Sequence, residues 1–209
     1  MKSAPLARRQ LLCLLAAGAL SAAHAAAPVG SSIYALRVPL TDQNGRDFML
    51  ADLVGQPVLI SMFYTSCDAV CPMIFETLRL TLARLNERER SHVRVVMVSF
   101  DPARDTVAVL GRTAVGRGAD ARWTLARTSE ADARQVAAVL GLQYRRLASG
   151  EFNHSSEIVL LDERGQIAQR SALLGNVDPK LLQSLRTLAA KPTAEAPGFQ
   201  RHLSRETAG

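Results

Sequence analysis

Cysteine is scarce in this chain, with 3 in 209 residues, and tryptophan occurs once. So few cysteines exclude a small scaffold held together by disulfides. No apolar run approaches the roughly 20 residues that a membrane-spanning helix needs, so no stable transmembrane anchor is expected. Blocks of like charge are also missing. The formal charge of +6 comes from 25 basic and 19 acidic residues, 22 of the basic ones arginine, scattered along the sequence. A mixed solvated surface accounts for that pattern, and a nucleic-acid partner is not expected. Nothing repeats, and 13 glycines and 9 prolines without a period exclude collagen-like and low-complexity chains. What remains, 48% apolar and 21% charged, is an ordinary globular composition with enough length for one sizeable core.

Residues 1–25 read as a cleavable export signal. Lys2, Arg8 and Arg9 make a positive start, Leu11 to Leu20 is apolar, and Ala23-His24-Ala25 fits the small-x-small cleavage pattern. Cleavage before Ala26 would leave a mature chain of charge +3 in the periplasm. The expected organisation is signal peptide 1–25, linker 26–37, a single domain 38–190 and a flexible tail 191–209 rich in proline and glycine.

Within the domain, Val38 to Phe48 reads as an N-terminal hairpin turning at Asn44-Gly45. Val58 to Tyr64 and Val93 to Phe100 are continuous apolar runs, as expected of strands covered on both faces. From Pro72, the residues Ile74, Leu78, Leu82 and Leu85 recur at helical spacing. Asp101-Pro102 reads as a cap and first-turn proline opening a helix to about Val115. Trp123 to Leu125 is a strand, Ser129 caps a helix to Leu140, Ile158 to Leu161 and Gln166 to Arg170 flank a turn, and Pro179 to Leu188 is the last helix. Strands alternating with helices imply an α/β fold around a mixed central sheet flanked by helices.

Cys13 leaves with the signal, so the exported chain keeps Cys67 and Cys71, with three residues between them. A disulfide closing so short a loop removes little entropy from the unfolded chain, which argues against a staple. The pair stands where a strand meets a helix start, where unpaired amides favour thiolate. Residues four apart on a helix share a face, so the sulfurs could hold one ion or close a disulfide. Two thiolates suit Cu(I), with zinc possible, and either wants a further ligand. His92 follows a charged helix end and His202 lies in the tail, whereas His154 precedes the apolar strand at Ile158.

Three blocks in order then resemble the Sco/SenC family of extracytoplasmic copper-binding proteins. These are Phe63-Tyr64-Thr65-Ser66-Cys67-Asp68-Ala69-Val70-Cys71-Pro72, Ser99-Phe100-Asp101-Pro102-Ala103-Arg104-Asp105-Thr106, and Asn153-His154-Ser155-Ser156. The resemblance implies a thioredoxin-like fold and one copper ion per chain held by Cys67, Cys71 and His154. It also implies delivery of copper to a respiratory oxidase subunit or another copper acceptor protein. The chain departs from the family pattern at Asp68 and Ala69, where members usually carry proline and an acid, and at Asn153, where members often carry Asp. Asp68 reads either as an acid of the first helical turn or as a charge that attracts a cation. Asp101 reads as a helix cap. A carrier must hand over its ion, so the sulfurs should open at the surface, and a monomer is expected.

The main alternative is a thiol-disulfide oxidoreductase in which Cys67 and Cys71 are the redox-active pair that keeps acceptor cysteines reduced. A copper or redox sensor acting through a protein partner is a third reading. A peroxidase of the peroxiredoxin kind would place proline and threonine where Ile60 and Tyr64 stand. A zinc module fails on spacing, since the histidines are 62 and 48 residues apart.

Overall fold

The computed structural model describes residues 32–190. The signal expected over 1–25, residues 26–31 of the linker and the tail expected over 191–209, with His202, lie outside the described residues. The strands are β1 (Pro39–Asp42), β2 (Asp47–Met49), β3 (Val58–Phe63), β4 (Arg94–Ser99), β5 (Trp123–Arg127), β6 (Tyr144–Arg146), β7 (Phe152–His154), β8 (Ile158–Leu161) and β9 (Ile167–Ser171). The helices are α1 (Val70–Ala83), α2 (Glu87–Ser91), α3 (Val107–Gly116), α4 (Glu130–Leu140) and α5 (Pro179–Ala189), with short 3-10 turns at Ile33–Ala35 and Leu50–Leu53.

All six residues of β3 and all four of β8 are buried, as is every residue of β4 after Arg94. Continuous burial is what an inner strand with both faces covered requires, and each fully buried Val, Leu or Ile contributes about 1.5–3 kcal/mol of transfer free energy. Seven strands form the main sheet in the order β2-β1-β5-β4-β3-β8-β9. β3 and β4 run parallel, from Val58↔Arg94 to Phe63↔Ser99, and β4 and β5 are also parallel. β8 is antiparallel to β3, with Val58↔Leu161 and Ile60↔Val159. The expected mixed α/β sheet is therefore present, with the N-terminal hairpin of β1 and β2 at one edge. Its turn is closed by Asp42, whose Oδ1 accepts from the amides of Asn44 at 2.8 Å and Arg46 at 2.9 Å. Gly45 takes φ +80° there, which a side chain would strain.

This topology decides where the chemistry can sit. The C-terminal ends of the parallel strands β3 and β4 lie side by side, so the cysteine loop after Phe63 and the Asp101 turn after Ser99 emerge together. Because β8 enters antiparallel beside them, the segment before Ile158, which carries His154, arrives at the same end of the sheet.

Several local expectations change. α1 begins at Val70, two residues ahead of the proline, which a first turn tolerates because its amide would be unpaired there. Asp101 does not cap α3. Its carbonyl accepts from the amides of Arg104 and Asp105 in a single turn, and the cap is Thr106, whose side chain accepts from Val109. Part of the expected linker is packed onto the domain, since Ile33 is buried and Ser32 caps its turn. The short strands β6 and β7, which pair with each other outside the main sheet, and the five-residue α2 carry too little periodicity to read from sequence. Ser129 does cap α4, and Asp178 with Pro179 opens α5.

Candidate metal centre

Cys67 lies in the turn between β3 and α1, its amide donating to the Tyr64 carbonyl at 3.3 Å. It stands ahead of the helix, so the expectation of two cysteines on one helical face fails. The sulfurs converge for another reason. Ala69, the cap residue, offers no side-chain acceptor, and the Cys67 Sγ takes that part instead, accepting from the Cys71 amide at 3.4 Å. Asp68 is exposed and also precedes the helix, so it is not an acid of the first turn.

The two thiols differ electrostatically. Burial works against the Cys67 thiolate, but the amide and thiol of Cys71 and the amides of Ala69 and Val70 outweigh it, and its pKa falls below that of an ordinary thiol. Burial pushes the Cys71 thiol up to about 12, opposed by the Tyr64 backbone and reinforced by the neighbouring Cys67 sulfur. Both cysteines are free.

His154 ends β7. Its Nδ1 lies 2.9 Å from the Ser155 carbonyl. A carbonyl only accepts, so Nδ1 carries the proton and Nε2 keeps the lone pair, the tautomer a metal ligand requires. The acceptor supporting the imidazole is thus a backbone oxygen, and the exposed Asn153 beside it plays no such part. Aromatic rings hold the imidazole in place: Tyr64 meets it edge-on at 6.0 Å and Phe100 lies 5.0 Å away. Tyr144, the register partner of His154 in β6, stacks on Phe100 at 4.8 Å, and Phe152 packs against both Tyr64 and Phe100.

Cys67, Cys71 and His154 bring one ligand atom each to within 4.8 Å of one another, the only such group of three or more ligating side chains among the described residues. His92 is remote from it in function, its Nδ1 held at 2.7 Å by the Arg88 carbonyl at the end of α2. The expected opening at the surface is not there. Cys67 is 6% exposed and Cys71 2%, and only His154 is half-buried. The aromatic wall beside the imidazole was missed, because in a three-residue strand the spacing of Phe152 and His154, two apart on one face, is too short a signal to stand out.

Asp105 is the support that sequence reasoning passed over. It is fully buried and accepts from the amide and hydroxyl of Thr65 and from the Ser99 hydroxyl, tying the cysteine loop to the end of β4. Burial raises its pKa against those hydrogen bonds, and the charge of Asp101 adds to the rise. Asp101 itself pairs with Arg104.

The family model described as SCO1/SenC matches residues 32–189. Protein SCO2, mitochondrial, of Saccharomyces cerevisiae is 31% identical over 71 residues, 34% of this chain and 24% of that relative. The curated relatives matched are covered over 24–34% of their own length. Among solved structures, Arabidopsis thaliana ScoI with copper bound superposes with TM-score 0.63 at 19% identity, over 72% of this chain and 96% of that one. Bradyrhizobium japonicum ScoI with copper bound gives 0.59 at 24% identity, over 72% and 96%. At such identities the superpositions establish the thioredoxin-like fold. Because the family model spans the whole sheet and all three convergent segments, and not the thiol motif alone, this chain belongs to the SCO1/SenC family.

Proposed function

We propose that this chain is an extracytoplasmic copper carrier that binds one copper ion through Cys67, Cys71 and His154 and passes it to the copper centre of a respiratory oxidase. The observation that carries the reading is the meeting of two sulfurs and one imidazole within 4.8 Å, with the imidazole proton already committed to Ser155. Two soft thiolates suit Cu(I), and the borderline nitrogen lets the same set accept Cu(II). Copper is cargo here. Cys67 is the first thiolate to meet it, and Cys71 gives up its proton on binding, so affinity rises with pH. His154, the most exposed of the three, is where an acceptor begins ligand exchange. Export rests on the signal pattern of residues 1–25.

Competition of the reduced protein against a Cu(I) chelator tests this. One-to-one binding is expected, weakened more than about tenfold by His154→Ala and abolished when the thiols are oxidised to a disulfide. Binding indifferent to His154→Ala removes the reading. Processing before Ala26 and recovery in the periplasmic fraction check the location.

The unequal thiols favour a second reading, a thiol-disulfide oxidoreductase in which the Cys67 thiolate attacks an acceptor disulfide and Cys71 resolves the mixed disulfide. Turnover on a disulfide-bearing acceptor, lost in Cys67→Ser, is the expected result. A pair too oxidising to reduce any acceptor excludes it.

A further inference from the structure

We infer that Glu151 is a positioning residue for His154, acting through the Tyr64 phenol. This rests on the copper reading above. β6 and β7 form a sheet of two strands on their own, and a lone ribbon of that size is marginal in water. The place of His154 therefore depends on what ties the ribbon down. Its turn is held at two points. Tyr64 Oη donates to Glu151 Oε2 at 2.6 Å, and Arg104 donates to the Gly150 carbonyl at 2.8 Å. The Arg104 guanidinium lies 6.0 Å from the Tyr64 ring and 5.9 Å from the Phe152 ring.

Tyr64 belongs to the other half of the site, because its carbonyl accepts from the Cys67 amide. One side chain thus joins the thiol loop to the ribbon that carries the imidazole, and its ring meets His154 edge-on. The ionised carboxylate makes this a charge-assisted bond, stronger than a neutral one. Glu151 is itself exposed, so its removal opens no cavity. Without it, the phenol loses its carboxylate acceptor and keeps only the Cys67 sulfur beside it, and the turn of the ribbon loses one of its two polar ties.

The test is chelator competition for Cu(I) on the full reduced chain, in wild type, Glu151→Ala, Glu151→Gln, His154→Ala and the Glu151→Ala/His154→Ala double variant. Nitrogen hyperfine coupling of the Cu(II) form is recorded alongside. Glu151→Ala is expected to weaken copper about tenfold and reduce the nitrogen coupling. Glu151→Gln keeps an acceptor oxygen and restores most of the affinity. In the His154→Ala background Glu151→Ala has no further effect, as expected of residues acting through one another. Two results overturn the inference while leaving the copper reading intact: Glu151→Ala matching wild type, or the same loss with and without His154. If wild type and His154→Ala bind alike, the copper reading falls and this inference with it.

Discussion

The cysteine loop and the histidine ribbon supply the same candidate centre, yet they are built in opposite ways. The loop grows out of β3, an inner strand with all six residues buried, and Asp105 clamps it to β4. The ribbon is two three-residue strands outside the main sheet, its side chains half-buried or exposed. Two ligands are therefore placed by the core, and the third by a few polar and aromatic contacts. The difference teaches that stability and third-ligand placement are separable here: damage to the core costs both, and damage to the ribbon costs only the third ligand.

The largest break in this contrast comes from the core. Ile60→Ala, at a fully buried position of β3, is expected to cost about 2–5 kcal/mol of stability in denaturant unfolding. It should loosen the thiols as well. Asp105→Ala comes next, at about 1–3 kcal/mol, because the Thr65 and Ser99 donors are left buried without an acceptor. Since burial raises the Asp105 pKa in the folded state, its ionisation opposes folding. Its stabilising share is complete below the ordinary carboxyl value and is lost as pH rises through the folded value.

Asp178→Ala removes the α5 cap, which accepts from Lys180 and from the Ser171 hydroxyl, and should cost about 1 kcal/mol. The sign of its pH dependence is reversed. Those hydrogen bonds, Ser171 first, lower its pKa, so its contribution is present above the ordinary carboxyl value and fades as pH falls through the folded one. Unfolding midpoints measured from acid to neutral pH separate the two carboxylates. Alkylation sharpens the contrast within the loop. With Cys67 lowered and Cys71 at about 12, a small reagent at neutral pH should label Cys67 and spare Cys71, as peptide mass mapping would read. The smallest effect belongs to the ribbon surface. Asn153→Ala is expected to change stability by less than about 0.5 kcal/mol and to leave copper affinity unchanged, because the imidazole is supported by Ser155.

Legibility followed local signal. β3, β4 and β8 announce themselves as apolar runs, and Ser129 as a helix cap, because burial and capping act on a handful of adjacent residues. The Asp101-Pro102 pair misled because its turn closes after one cycle and Thr106 opens the helix. The cysteines and His154 were legible from spacing and resemblance. Glu151 and Tyr64 were not, since an acid in a polar turn and an aromatic at a strand end each look ordinary until the fold joins them across 87 positions.

The sequence by itself determined which segments are buried and which side chains can hold a soft ion, since hydrophobic runs and thiol chemistry are properties of residues and their neighbours. Only the tertiary structure decided that Cys67 caps α1 with its sulfur, that Asp105 clamps the loop, and that His154 arrives beside both thiols with Nε2 left for a ligand. Those facts follow from parallel β3 and β4 meeting antiparallel β8 at one end of the sheet, and strand order depends on the packing of the whole chain.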